Sequence, residues 1–518
     1  MSQEDRILII GAGIGGLAAA LRLAAAGRRV EVLERHDWAG GKMRTLPSDA
    51  GPVDAGPTVL TMRAVFDDLF AQAGTRLADH VTLQLLPVLA RHFWSDGTKL
   101  DLVADPEANR LAIAHAFGAR AGADFAQFEQ ETRSLFKAFD APVMRAPVPS
   151  LIGSAQAALR AGGTLPWLVP GRTLDAMLRA RLREPRLRQL FGRYATYVGG
   201  NPLRAPAVLG LIWQAEAAGV WAVKGGMAAL ARALVGLIER LGGQVHLGVD
   251  VAAILTKAGH VTGVRLSDGT VLNAAQVIHN GDPAALSALL DTSPLKRNQT
   301  QPRSLSAQVW TVAAQVQPGA IGPRDLAYHN VFFADDPAQE FGPLARGQTP
   351  ATPTLYVCAQ DRASAHPKGR ERFQFILNAP PLPHTQPKDT PCQMHPFDRL
   401  AQFGLTLTPR AEATAQTLTQ PHDFAALFPA SQGALYGLSP NGTMATFQRP
   451  HARTKIKGLY LAGGGVHPGA GVPMAAMSGG HAAQAVLSDQ ISASPSRPMV
   501  MRGGISTGSA IAERAPSR

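Results

Sequence analysis

Residues 7–10 are four consecutive apolar side chains, Ile7, Leu8, Ile9 and Ile10. The glycine-rich turn Gly11-Ala12-Gly13-Ile14-Gly15-Gly16 follows, then an apolar stretch over 17–26, then Val30, Val32 and Leu33 leading into Glu34. A short apolar run that stops at a glycine turn reads as a buried strand, and the longer Ala- and Leu-rich stretch reads as a helix. The pattern therefore predicts strand, tight turn, helix and second strand. Residues 91–102 alternate about Asp96-Gly97 and predict a hairpin. From about residue 104 to 190 the spacing is mostly helical, with breaks near Pro147, Pro166 and Pro170. Residues 205–223 are largely apolar but contain Gln214 and Glu216, which predicts a buried helix and not a membrane span. A helix of 3.6 period opens at Gly225-Gly226-Met227, runs through Leu230, Leu234, Leu237 and Ile238, and stops at Gly242-Gly243. Short alternating strands return at 245–247, 251–255, 261–266 and 277–279.

The order of the first elements carries chemistry. Gly11 permits the tight turn, Gly13 lets backbone approach a pyrophosphate, and Gly16 lets the helix lie close to the sheet. The helix N-terminus then points free N–H groups and a partial positive charge at the phosphates. Glu34 lies 23 residues after Gly11, near the spacing of about 20 for an acid that binds ribose hydroxyls. A carboxylate there disfavours a 2′-phosphate, so NADP does not suit the site. Near the other end, residues 458–474 repeat the strand, glycine loop and helix start (Gly458 to Met474), which taken alone suits either a second part of an extended cofactor or a structural loop that uses glycine only to turn.

Composition bounds this reading. A chain of 518 residues holds two or three domains with sizeable cores. Its two cysteines, Cys358 and Cys392, give no disulfide framework, and no metal-ligand spacing appears. Glu4 and Asp5 precede the first strand, unlike a signal peptide, so a cytoplasmic protein is expected. The formal charge of +12, with sparse aromatics and no nucleic-acid motif, points to an anionic lipid surface and not to nucleic acid. The arginines Arg179, Arg181, Arg183, Arg186, Arg188 and Arg193, interleaved with leucines, form either a lipid-facing or a plain solvated helix face. The periodicities suggest a discontinuous nucleotide domain built from 1–75, 206–290 and 441–490. The substrate region would occupy 76–205 and 291–440, with a disordered tail over 491–518.

Taken together, GAGIGG, ERHDWAGGKMRT, DAGPTVLTM, WAVKGGMAAL, HNGDP and LYLAGGGVHPGAGVPMAAMSGG resemble the carotenoid and phytoene desaturase branch of the amine-oxidase-like flavoproteins. The resemblance covers nearly the whole chain. The segments RQLFGRYATYVGGNP, RSLSAQVW, HNVFF and PTLYVCAQDR are most similar to the 1-hydroxycarotenoid 3,4-desaturases. Gly281 departs from the alanine usual in HNGDP, a change expected to be harmless. The resemblance implies an α/β fold: a discontinuous Rossmann-type FAD domain with an inserted mixed α+β substrate domain. It implies FAD as cofactor and a C40 hydroxycarotenoid at the membrane surface as substrate, with oxygen or a quinone as possible electron acceptor.

By the same resemblance Gly11, Gly13 and Gly16 hold the pyrophosphate and Glu34 the adenosine ribose. Arg35, Gly41, Lys42 and Arg44 lie along the phosphate and ribityl path, and Gly56, Pro57 and Thr58 near the isoalloxazine. Val251 meets adenine through its backbone, Gly464 and Gly465 approach the ribityl or phosphate groups, and Val472, Pro473 and Met474 face the pyrimidine edge. The implied reaction removes a hydride from carbon 4, where the polyene stabilises the cation, and a proton from carbon 3, so strong acid or base residues are few. No catalytic base is assigned; His467 is the candidate, set against a structural hydrogen bond. Other family reactions, phytoene desaturation or carotene isomerisation, and a flavin-free lipid escort of the same superfold are the alternatives.

Overall fold

The computed structural model describes residues 6–160, 164–290, 301–364, 367, 369–382, 395–409, 418–442 and 445–493. The first apolar run forms the middle strand of a five-stranded parallel sheet. Its order is Leu459–Leu461, Gln276–His279, Arg6–Ile10, Arg29–Glu34 and Gln244–Leu247. A parallel strand is covered on both faces and therefore needs an unbroken apolar run, and Ile7, Leu8 and Ile9 are fully buried. Ile7 and Ile9 pack against the helices Ile14–Ala25, Met227–Arg240 and Val472–Ala493. Leu8 points the other way, with Leu33, Val277 and Leu461, onto an antiparallel layer of Val251–Lys257, His260–Leu266 and Val271–Asn273. The first and last helices touch backbone to backbone: a Cβ on Gly479 would lie 2.1 Å from Gly15 O.

Between these pieces the chain builds a second, larger sheet. Its order is Leu407–Pro409, Ser306–Val316, Arg370–Ala379, Leu355–Ala359, His329–Phe332, Ala90–Phe93 and Lys99–Leu102, with Leu418–Thr419 also paired to Ser306–Val316. The hairpin turns where Gly97 N donates to Trp94 O at 3.1 Å. One face of the sheet buries Val312, Phe332, Val357, Phe373 and Phe375. Over the other face lies a helical layer that includes Pro106–Phe117, Ala119–Phe139, Leu174–Arg181 and Pro185–Gly192, with Phe125, Phe128, Trp167, Phe191 and Trp213 at its centre. The molecule is thus a discontinuous Rossmann-type α/β unit with a mixed α+β unit inserted into it.

Two readings of the pattern change. Residues 205–223 are not one helix: Ala207–Ile212 is a 3₁₀ turn, Trp213–Ala217 a short helix and Trp221–Val223 a strand paired with Leu83–Leu85. Pro206 starts the turn, Gly210 sits where a Cβ would come 2.4 Å from the Trp167 ring, and Gly219 at φ +118° stops the helix. The last helix runs to Ala493, into the segment assigned to the tail from residue 491. Residues 494–518, Glu4, Asp5, Cys392 and 383–391 of the Pro-rich loop lie outside the described residues.

Candidate functional site

Three helices start at the edge of the parallel sheet, and their N-termini differ. The helix Met227–Arg240 is capped by a buried carboxylate, since Met227 N donates to Asp54 Oδ2 at 2.9 Å. The helix Ile14–Ala25 begins at Gly13 and the helix Val472–Ala493 follows Gly471, so neither has a capping side chain of its own. Uncapped N-terminal turns leave N–H groups unpaired and suit an anion. Burial pushes the Asp54 carboxyl up to about 6, against the opposing bond from Met227.

Asn280, at the end of the strand Gln276–His279, lies between the first glycine turn and Gly463 of the last glycine loop. Its Nδ2 donates to Gly11 O at 3.0 Å. A Cβ added to Gly13, Gly15 or Gly16 would come within 2.9, 2.6 or 2.9 Å of its side-chain amide, and one on Gly463 within 2.9 Å of Oδ1. Among the described residues Asn280 Oδ1 has no partner. Gly16 also abuts Gly11 O, 2.2 Å from a would-be Cβ, and Gly11 sits at φ +98°. Only glycine satisfies both requirements.

Glu34 is 4% exposed, and both carboxylate oxygens are placed by backbone: Oε2 accepts from Ala12 N at 2.7 Å and Oε1 from His36 N at 3.0 Å. Each oxygen keeps a lone pair for a further donor. Val249 N donates to Glu34 O at 2.8 Å, which brings Val251, buried and paired with Leu266, close to this acid. Arg35 turns to the surface, 3.9 Å from Asp250. Residues 40–44 fold back over the first turn: Gly40 N donates to Ala12 O at 2.8 Å, and a Cβ on Gly41 would lie 3.1 Å from Gly13 Cα. The Lys42 ammonium lies 5.0 Å from the Phe428 ring centre, and burial lowers its pKa against the pull of Asp282. The Arg44 guanidinium donates to Thr419 Oγ1 at 2.7 Å and is also lowered by burial.

The segment 54–58 is docked on the large sheet. Asp54 N donates to Gln360 Oε1 at 3.0 Å, Gln374 Nε2 donates to Gly56 O at 2.8 Å, and Thr58 Oγ1 is 2.8 Å from Tyr356 OH. A Cβ at Gly56 would fall 1.7 Å from Lys42 O, so Pro57 and Thr58 follow a contact that only glycine permits. At the other end of the site Gly464 O accepts from Arg449 Nη1 at 2.9 Å, and Gly465 packs on Pro283. Burial pushes the Arg449 guanidinium down to about 10. Val472, Pro473 and Met474 begin the last helix.

Asn280, Arg449 and Gln374 had no role assigned from sequence. Asn280 was visible only as part of HNGDP, and Arg449 and Gln374 have no local pattern to mark them. His467 Nε2 is 2.9 Å from Ala146 O, and its ring lies 5.6 Å from that of His451 and 5.9 Å from that of His481. Burial pushes His467 down to about 4, so the ring is neutral at ordinary pH. His279 Nε2 meets Asp282 O at 3.2 Å, and His329 lies on the large sheet. The arginine stretch is largely ion-paired: Arg179 with Asp175, Arg181 with Glu131, Arg183 with Asp124 and Arg186 with Asp96. Arg193 turns inward over the rings of Tyr197 and Tyr356. Four of the six arginines are thus paired with carboxylates and a fifth turns inward. Among the described residues no group of three His, Cys, Asp or Glu side chains is placed to hold a metal.

The residues present fit a dinucleotide with a second, distant half. The uncapped N-terminus of the first helix and Gly463 of the last glycine loop flank an amide with an unpaired oxygen, and a carboxylate held by two backbone N–H groups closes one end. The sequence profile of flavin-containing amine oxidoreductases matches residues 14–317 and 398–487. The chain belongs to that family, in its carotenoid desaturase branch. It is 54% identical to a hydroxyneurosporene desaturase of Cereibacter sphaeroides, over 94% of this chain and 99% of that one. It is 32% identical to a lycopene-forming phytoene desaturase of a Paracoccus species, over 94% and 98%. An oxidoreductase structure from Methanosarcina mazei superposes with TM-score 0.56 at 18% identity, over 93% of this chain and all of that one, and shares the fold. The chain is an FAD-dependent oxidoreductase of this branch, a carotenoid desaturase.

Proposed function

We propose that the enzyme introduces a double bond between carbons 3 and 4 of acyclic 1-hydroxycarotenoids such as 1-hydroxyneurosporene. The observation that carries this reading is the end-to-end match to hydroxyneurosporene desaturase, which is much higher than the match to phytoene desaturase. The substrate loses a hydride from carbon 4 and a proton from carbon 3. Bound FAD supplies the two-electron acceptor.

What the chain contributes is placement. Gly11, Gly13 and Gly16 with Asn280 shape the pyrophosphate seat, and Glu34 takes the ribose hydroxyls. Gly41, Lys42, Arg44, Gly464 and Gly465 follow the phosphate and ribityl arm, with Arg35 at its outer edge and Val251 under the adenine. Gly56, Pro57, Thr58, Val472, Pro473 and Met474 frame the ring, and the three hydrogen bonds that dock 54–58 on the large sheet hold that frame still. His467 stays neutral and bonded to Ala146 O, a clamp between the glycine loop and residues 145–146.

Peripheral attachment to a membrane suits a C40 substrate. No helix among the described residues is long and apolar enough to cross a membrane. Five of the exposed large apolar side chains fall between residues 148 and 169: Val148, Ile152, Leu159, Leu165 and Val169. Exposed aliphatic side chains gathered in one segment of the chain suit contact with lipid. The test is to incubate the purified enzyme separately with 1-hydroxyneurosporene, neurosporene and phytoene. The expected result is a 3,4-didehydro product from the hydroxylated carotenoid and poor turnover of phytoene. Efficient conversion of phytoene to coloured products, with none from 1-hydroxyneurosporene, overturns the reading.

A further inference from the structure

One face of the large sheet carries a polar row inside the core. Thr311 pairs with Gln374, Gln374 with Cys358, and Cys358 with His329, so these four side chains share a face across four strands. All are at most 2% exposed. A buried sheet face is ordinarily filled largely with aliphatic and aromatic side chains, because each buried polar group needs a partner. Part of the row is accounted for: Gln374 Nε2 holds Gly56 O. The rest centres on Tyr356, two residues from Cys358 on the same strand, whose hydroxyl lies 2.8 Å from Thr58 Oγ1 and 2.5 Å from His329 Nδ1. The Arg193 guanidinium lies 5.4 Å from the Tyr356 ring centre, and Tyr197 beside it donates to Glu216 at 2.9 Å. His329 Nε2 is buried and has no partner among the described residues.

A carotenoid offers such a patch nothing along its polyene. The single polar group of a 1-hydroxycarotenoid end is the tertiary hydroxyl. It sits on carbon 1, three carbon–carbon bonds or roughly 4 Å from the reacting carbon 4. A residue that meets it must therefore lie next to the ring frame, and Thr58, bonded to Tyr356, is part of that frame in the reading above, on which this inference rests. We propose that His329 and Tyr356 receive the tertiary hydroxyl and set the enzyme's preference for hydroxylated end groups. Either tautomer of His329 serves: with Nδ1 accepting from Tyr356, Nε2–H donates to the hydroxyl oxygen, and with Nδ1–H donating, Nε2 accepts the hydroxyl proton. A methyl ether can only accept and suits one tautomer alone. A hydrocarbon end leaves Nε2 unpaired.

The readout is the ratio of kcat/KM for 1-hydroxyneurosporene to that for neurosporene, measured on the flavin-loaded enzyme, together with the Kd of each carotenoid from quenching of flavin fluorescence. In His329→Leu and Tyr356→Phe the ratio is expected to fall roughly 5- to 150-fold, the range for one buried polar group gaining or losing its partner. The ratio of Kd for 1-hydroxyneurosporene to Kd for neurosporene should rise correspondingly. Tyr356→Phe keeps the ring and its packing, so it serves where the histidine variant does not fold. A ratio within twofold of wild type in Tyr356→Phe overturns the proposal, even if both rates drop, because equal losses mark a structural role. If the wild-type enzyme gives no 3,4-didehydro product from any hydroxycarotenoid, it is the functional reading above that fails.

Discussion

Gly13 and Gly16 stand three residues apart in one motif, yet the structure separates what each would cost to replace. Gly13 has φ −65° and ψ 166°, a conformation open to alanine. A Cβ there meets only the side-chain amide of Asn280, at 2.9 Å. Asn280 can swing aside at the expense of its bond to Gly11 O, about 1 kcal/mol. Gly16→Ala instead puts a methyl 2.2 Å from Gly11 O, a backbone atom of the turn that the helix must clear. Separating helix and turn costs ~1–3 kcal/mol or more of overpacking strain. Gly13→Ala is thus expected to fold nearly as well as wild type but to bind FAD more weakly, because in the proposed placement the pyrophosphate sits against Gly13 and the displaced Asn280. If that crowding also costs ~1–3 kcal/mol, Kd rises roughly 5- to 150-fold. Gly16→Ala should lose stability and flavin together. The assay is the flavin-to-protein absorbance ratio after gel filtration, with denaturant midpoints of both apoproteins. Full retention of flavin by Gly13→Ala, or an apoprotein midpoint for Gly16→Ala equal to that of Gly13→Ala, would refute the reasoning.

Asp54 predicts a pH dependence of stability. Its folded pKa is raised to about 6 from an ordinary 3.8, so the folded state holds this proton more tightly than the unfolded chain does. The stability it contributes is complete below about pH 4 and is lost as pH rises through 6. Asp54→Asn should flatten the slope of denaturant stability between those values, and an unchanged slope assigns the titration elsewhere. For the membrane face, Ile152→Asp with Leu159→Asp should abolish flotation on anionic vesicles, since each aliphatic side chain buried in lipid is worth ~1.5–3 kcal/mol. Undiminished flotation places the contact on another surface.

Much of the cofactor half was legible because its signals are local. Four apolar residues, a glycine turn and an acid at a fixed spacing lie within residues 7–34, and to these the structure adds Ala12 and His36 positioning Glu34 and Asn280 against the turn. Helix 205–223 failed for a reason that is also physical: hydrophobicity registers burial, and burial was correct, with Ala207, Trp213 and Val220 all at 1% exposed or less. Pro206 and Gly219 help divide that stretch, and so does the approach of Trp167 to Gly210, a contact 43 residues away in sequence that no periodicity reports.

The substrate half was illegible on the same grounds. The row Thr311, Gln374, Cys358 and His329 comes from four separate segments, and each residue alone looks like an ordinary polar interruption of a strand. Its meaning depends on register, and register between strands distant in sequence is settled by packing and not by local pattern. Gly281 shows the limit in one position. Read as a departure from alanine it was expected to matter little, but a Cβ there would lie 2.7 Å from His279 Cε1. Glycine makes room for an imidazole whose Nε2 meets Asp282 O, next to the Pro283 on which Gly465 rests. The departure and the histidine therefore form one feature. The atoms that alanine at 281 would meet belong to the far end of this ring and not to backbone, so the ring must shift for it to fit.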